Sequence, residues 1–271
     1  MKRLLHAAAL AALCASAVAM TPRLGAAQEE GGAPPKVDDA KLLAQAKVWN
    51  ARPAPTDPRD FTGGAWWTRG YDFKYRQLDG SLPPMTDSEA KNREHRLAMA
   101  AAGTPLPDAS TQCKPHGIPR LIASPYPIQF DYEPNMIVIL HETAHNVRFI
   151  HMDGKPVPAD TPRSFLGYSV GHWEDDTLVI HTDHFNDQTQ VDEEGLSHGL
   201  KLQVTERIRK FTNKYGGVEL ENKFTVDDPD HYTRPWTGVR LFPWRSDVKV
   251  NEYSCEENNR NAVVNGQVVA K

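Results

Sequence analysis

The chain spells His-Glu-x-x-His at His141, Glu142 and His145, and His151 stands where the longer zinc-protease spelling places a third ligand. On a helix, histidines four apart share one face and bind one zinc, with the glutamate as general base. The flanking residues oppose a helix. Ile137-Val138-Ile139-Leu140 and Val147-Arg148-Phe149-Ile150 are β-branched and aromatic runs that favour strands. Arg148 also occupies the place where the longer spelling needs a glycine to turn the chain. On an extended strand His141 and His145 lie about 13 Å apart, at ~3.3 Å per residue, too far to share a metal. The residues predict a hairpin over 136–152 that turns near Ala144-His145-Asn146. No cofactor is expected, and zinc on His141, His145 and His151 is the alternative that a helix would require.

Gly167-Tyr168-Ser169-Val170-Gly171 matches the Gly-x-Ser-x-Gly of a nucleophile elbow, which needs a helix after the serine. The residues that follow, a run of acidic residues and then Thr177-Leu178-Val179-Ile180, read as a turn and another strand.

Acid–base chemistry has better candidates in His198, Glu142, Glu206 and Arg148. Imidazole titrates near neutrality, so His198 is the expected proton-transfer group, with the preceding "DEEGLS" as a lid. Glu206 interrupts an apolar strand face, and Glu142 and Arg148 flank the expected turn. Charges inside strands are costly unless paired, so they mark either an ion-pair network or a polar pocket floor. Asn186 and Asp187 are candidates for orienting a ligand. Trp173, Trp236 and Tyr253 are candidates for its apolar walls, or for core.

The elements that must position these residues are mostly strands. Leu202, Val204, Glu206 and Ile208 alternate with Gln203, Thr205, Arg207 and Arg209, a period of two. Similar short runs separated by Asp, Gly, Asn and Pro continue from Pro125 onward. They predict a mainly β domain over 61–271, an antiparallel meander closed into a barrel or folded as a sandwich. One or two short helices belong to the N-terminal part. The strongest lies near 83–103, with Thr86 as N-cap, Glu89 three residues later and Gly103 at its end. Residues 28–60 read as an extended arm or linker, rich in Glu, Gly, Pro and Asp.

Met1-Lys2-Arg3 followed by a short alanine-rich apolar run predicts a signal peptide over 1–27, and hence export to the periplasm or beyond the cell. No later stretch has the ~18 apolar residues of a membrane span. A net charge of −4 with mixed signs and no basic stripe argues against a nucleic-acid partner. Cys113 and Cys255 remain after export. In an oxidising compartment they are expected to pair, the rival reading being a catalytic thiol at Cys113 beside His116.

Two resemblances follow. "DFTGGAWW" resembles the Gly-x-Trp opening of lipocalin-type barrels, in which the Trp closes the barrel bottom. The segment from Cys113 to Arg260 resembles a family of exported bacterial β-rich proteins. It does so through "CKPHGIPR", "GYSVGHWEDDTLVIHTDHFND", "LSHGLKLQVTERIRK", "DPDHYTRPWT" and "EYSCEENNR". These imply an exported, lipocalin-like barrel and bring no reaction with them. The expected function is a barrel whose cavity takes a small, partly apolar molecule. It is either an enzyme of hydration, isomerisation, elimination or hydrolysis, or a non-catalytic lipocalin-like carrier. A zinc hydrolase stands third, and an interaction module with a filled core fourth. No partner protein is indicated.

Overall fold

Alternation decides the architecture. In β7 (Gln203–Thr212), Val204, Glu206 and Ile208 are buried while Gln203, Arg207 and Arg209 are exposed, as the period of two requires. The same alternation runs through β3 (Met136–His141) and β4 (Asn146–His151), which pair antiparallel as the expected hairpin. Between them a single 3-10 turn, Thr143–His145, passes through left-handed backbone at Ala144 and His145. The zinc-protease spelling is therefore split between a strand end and a turn.

With β1 (Ala65–Trp66), β2 (Ile128–Glu133), β5 (Tyr168–Glu174), β6 (Thr177–Asp183), β8 (Val218–Asp227) and β9 (Trp236–Arg245), these strands close a nine-stranded barrel in sequence order. The computed structural model describes residues 52–69, 74–104, 109, 113–255, 262–264 and 267–269. The compact unit Asp39–Lys271 contains all of them; the other unit, Met1–Asp38, lies outside the described residues, and with it the expected signal peptide 1–27. The mainly β, lipocalin-like expectation is compatible with this barrel. One pair departs from the antiparallel meander: β4 and β5 run parallel over Ile150↔Ser169 and His151↔Val170. Residues 152–167 carry the chain back along the barrel between them, so β5 starts in the same direction as β4. No elbow helix follows Ser169, because β5 turns at Asp175 directly into β6. Ala262–Val264 and Gln267–Val269 form a separate small hairpin, β10 and β11.

Trp66 is packed into the core. It is fully buried, donates from Nε1 to the Phe61 carbonyl at 2.8 Å, and meets Trp244 edge-on at 4.9 Å. Gly64 is required there, since a Cβ at that position would stand 2.4 Å from the Trp244 ring. Of the expected arm, residues 28–51 lie outside the described residues. Residues 52–60 are held against the barrel: Lys210 Nζ donates to the carbonyls of Pro55, Asp57 and Asp60, and Trp244 Nε1 to that of Arg52.

The expected helix forms as α1, Asp87–Ala101, with the Thr86 hydroxyl accepting from the Glu89 amide. The Glu89 carboxylate does not reach back to its own cap. It is buried, where it accepts from Arg96 at 2.8 Å and from the Ser197 amide at 2.9 Å. A capping residue has become the anchor of α1 to the loop before β7.

Candidate functional site

Six consecutive strands supply buried polar side chains to one belt: His141 from β3, Arg148 from β4, Ser169 from β5, Thr182 from β6, Glu206 from β7 and Asn222 from β8. Arg148 and Glu206 are 3% and 1% exposed and form an ion pair through Arg148 Nη2 and Glu206 Oε2. The same Nη2 donates to Thr182 Oγ1 at 3.0 Å and Ser169 Oγ at 3.3 Å, and Asn222 Nδ2 donates to Glu206 Oε1 at 2.7 Å. Burial makes such a pair strong only while each lone pair and proton finds a partner. His141 does not find one within the protein, as both of its ring nitrogens are buried without a protein partner. Burial first, then the positive charges of Arg148 and His116, lowers its pKa to about 3. The belt thus holds a neutral imidazole beside a neutralised guanidinium.

This has a pH signature. An unfolded histidine binds its proton near pH 6.5, whereas folded His141 stays neutral down to about pH 3. Its contribution to stability is complete above 6.5 and is lost as pH falls toward 3. His198, also lowered by burial, has the same sign. His231, raised by its hydrogen bond to Asp228, has the opposite sign: it stabilises fully below 6.5 and loses its effect as pH rises through its folded value. His141→Gln is expected to remove about one proton from the slope of stability against pH between 6.5 and 5. Urea unfolding at several pH values measures it.

Among the described residues, a continuous cluster of buried apolar side chains occupies the barrel core. His141, Arg148, Glu206 and Asn222 of the belt, with apolar neighbours such as Ile139, Ile208 and Phe242, line a void of about 20 Å³. A void of that size is too small for the organic molecule expected in a barrel cavity. Ile, Leu, Phe and Trp side chains of the strands pack together in that cluster.

A larger concavity, about 230 Å³, lies outside that core at the barrel end where β2 begins and β3 turns into β4. His116, Arg120, Ala123, Ser124, Pro125, Tyr126, Glu193 and Tyr253 line it. The buried 3-10 turn Arg120–Ala123 separates the two spaces, with Ile122 on the void and Ala123 on the pocket. Arg120 is buried and pairs with the solvent-facing Glu193 at 3.1 Å. Tyr126 and Tyr253 meet edge-to-face at 5.5 Å and form the apolar wall. Three ties bring Tyr253 to that place. Asn251 N donates to Glu142 Oε2 at 2.8 Å, Tyr253 N donates to His145 Nε2 at 2.5 Å, and Cys113 and Cys255 form the expected disulfide with their Cα atoms 5.6 Å apart.

The structure therefore divides the expected site residues. Arg148 and Glu206 meet, in the belt. Glu142 turns away from them and, with His145, holds the segment that carries Tyr253. His198 lines neither space; its Nε2 is shared with Thr189 Oγ1 at 2.8 Å. The "DEEGLS" loop before it is fastened, not lid-like. The Asp192 carboxylate takes the amides of Tyr75, Glu194 and Leu196, and Glu194 collects Lys74, Arg76 and Arg93. Asn186 accepts from the Gln188 amide in an exposed turn that also carries Asp187. Trp173 packs on Phe61, and Trp236 is core among Tyr75, Phe224 and Tyr232.

His141 points inward, His145 sits in the turn, and His151 stacks on Tyr168 at the far end of β4. Among the described residues no three His, Cys, Asp or Glu side chains are grouped to hold a metal, and no helix is long and apolar enough to cross a membrane. A more open groove of about 530 Å³ runs past Arg163, Asp183, His184, Leu200, Lys201 and Asp227. Its basic side chains are already engaged: Lys201 by Asp230, His184 by Asp183, and Arg163 by the Phe185 and Leu200 carbonyls. Sequence reasoning missed the pocket residues Arg120, Ser124, Tyr126 and Glu193, which no local pattern joins. It also missed Ser169, Thr182 and Asn222 in the belt, although their inward parity beside Leu, Ile and Phe was a usable signal. Comparisons with protein-family models, with curated proteins and with solved structures found no match to this chain.

Proposed function

We propose that the protein is an exported binding protein of the carrier type that takes a small, partly apolar molecule at the disulfide-closed end of a filled barrel. One observation carries the reading. The pocket of about 230 Å³ combines a buried arginine with two facing tyrosines, whereas the interior void is less than a tenth of that size. Ligand sites are concave, mostly apolar and oriented by a few polar groups, and this pocket has that composition. A flat apolar body would lie against Tyr126 and Tyr253, with a polar or anionic head toward Ser124 and the Arg120–Glu193 pair. The disulfide fits an oxidising compartment. An acid–base role for the belt is the second reading, favoured by the unpartnered His141 nitrogens beside Arg148 and Glu206.

The test uses 1-anilinonaphthalene-8-sulfonate, which has an apolar body and an anionic head. Its fluorescence should report saturable, one-to-one binding to oxidised protein. Tyr253→Ala should weaken that binding about tenfold, as expected for a buried aromatic contact. Phe149→Ala, on the outer face of β4 where Phe149 is 52% exposed, should leave it unchanged. Binding that ignores Tyr253, or that falls equally at Phe149, contradicts the assignment.

A further inference from the structure

We propose that the void inside the barrel is a binding site for one ordered water molecule, held by His141, Arg148 and Asn222. Nothing in the carrier reading requires it. The void, about 20 Å³, exceeds the roughly 10–15 Å³ that one water needs and is far too small for an organic ligand. Four buried polar atoms on three of the residues that line it have no protein partner: His141 Nδ1, His141 Nε2, Arg148 Nε and Asn222 Oδ1.

Their chemistry selects the ligand. A neutral imidazole offers one N–H and one acceptor nitrogen, Arg148 Nε offers a second N–H, and Asn222 Oδ1 is a second acceptor. Two donors and two acceptors complement the two acceptors and two donors of water. A cation is refused by the guanidinium N–H, and an anion by the Asn222 oxygen and the nearby Glu206 carboxylate. Buried waters typically make about three hydrogen bonds to groups that are otherwise unsatisfied. The bound water extends the belt, which the protein's own bonds close only from β4 to β8, to His141 on β3. Ile122 of the 3-10 turn covers it on the pocket side.

Oxygen-17 magnetic relaxation dispersion counts waters that stay buried for longer than nanoseconds. Wild-type protein should show one more such water than His141→Phe, whose ring occupies the space and offers no hydrogen bond. Should His141→Phe fail to fold, Asn222→Leu makes the same comparison, and it should also lose one water. A crystal structure should place a single solvent peak within hydrogen-bonding distance of the His141 ring, Arg148 Nε and Asn222 Oδ1. An unchanged count in the folded variant overturns the proposal, and so does electron density for a larger molecule in the void.

Discussion

Arg148→Met lowers the stability of the barrel by about 3–5 kcal/mol, the usual cost of removing one partner from a buried ion pair. The mechanism is specific to what stays behind. Glu206, 1% exposed, keeps the Asn222 amide as its protein partner, and its charge is cut off from bulk solvent. The loss therefore comes mainly from an uncompensated carboxylate rather than from the missing arginine contacts. Adding Glu206→Gln removes that charge while preserving an acceptor for Asn222 and most of the volume. The double variant Arg148→Met/Glu206→Gln should recover more than half of the lost stability. Urea unfolding of wild type, both single variants and the double variant closes the cycle. Equal destabilisation in Arg148→Met and the double variant would mean that packing, not charge, holds the belt together.

Breaking the disulfide has an effect of similar size with a different signature. Cys113 and Cys255 are 142 residues apart, so their bond closes most of the barrel into one loop. Chain entropy assigns such a loop roughly 4–5 kcal/mol. Cys113→Ser/Cys255→Ser should lose up to that amount in urea unfolding. The binding pocket should suffer as well, because the disulfide holds the segment that brings Tyr253 against Tyr126. The Asn251–Glu142 and Tyr253–His145 hydrogen bonds described above would still tether it, both with partly exposed partners. The dye should bind the folded double variant several-fold more weakly than the oxidised wild type. Undiminished binding would place the site elsewhere.

The strands were legible because their signal is local. Val204, Glu206 and Ile208 mark one face of β7 without reference to any other strand, and the β-branched flanks of His141 and His145 overrule the helical reading. Thr86 likewise announces α1. What could not be read depends on register between strands. Glu142 and Glu206 are both carboxylates near apolar runs. Only the closure of the barrel, Ile139↔Arg148 on one side and Glu206↔Phe224 on the other, decides which of them meets Arg148. His198 looked like a proton-transfer group from its loop and titration range. In the fold that loop is fixed by Glu89 and Asp192, and the imidazole goes to Thr189. The pocket draws on residues 116–126, Glu193 and Tyr253, segments joined in space but not in sequence. Of these connections only the cysteine pair was visible beforehand. The parallel β4–β5 seam rests on two residue pairs, too few to leave a sequence pattern.

The central claim is that the ligand is taken at the disulfide-closed end and not inside the barrel. Backbone amide resonances of oxidised protein, followed during titration with 1-anilinonaphthalene-8-sulfonate, test it directly. The predicted result is saturable shifts concentrated at Arg120, Ser124, Tyr126, Glu193 and Tyr253, with Ile139, Ile208 and Phe242 unmoved. Shifts concentrated at Ile139, Ile208 and Phe242, or along the groove at Asp183, Leu200 and Asp227, would contradict it.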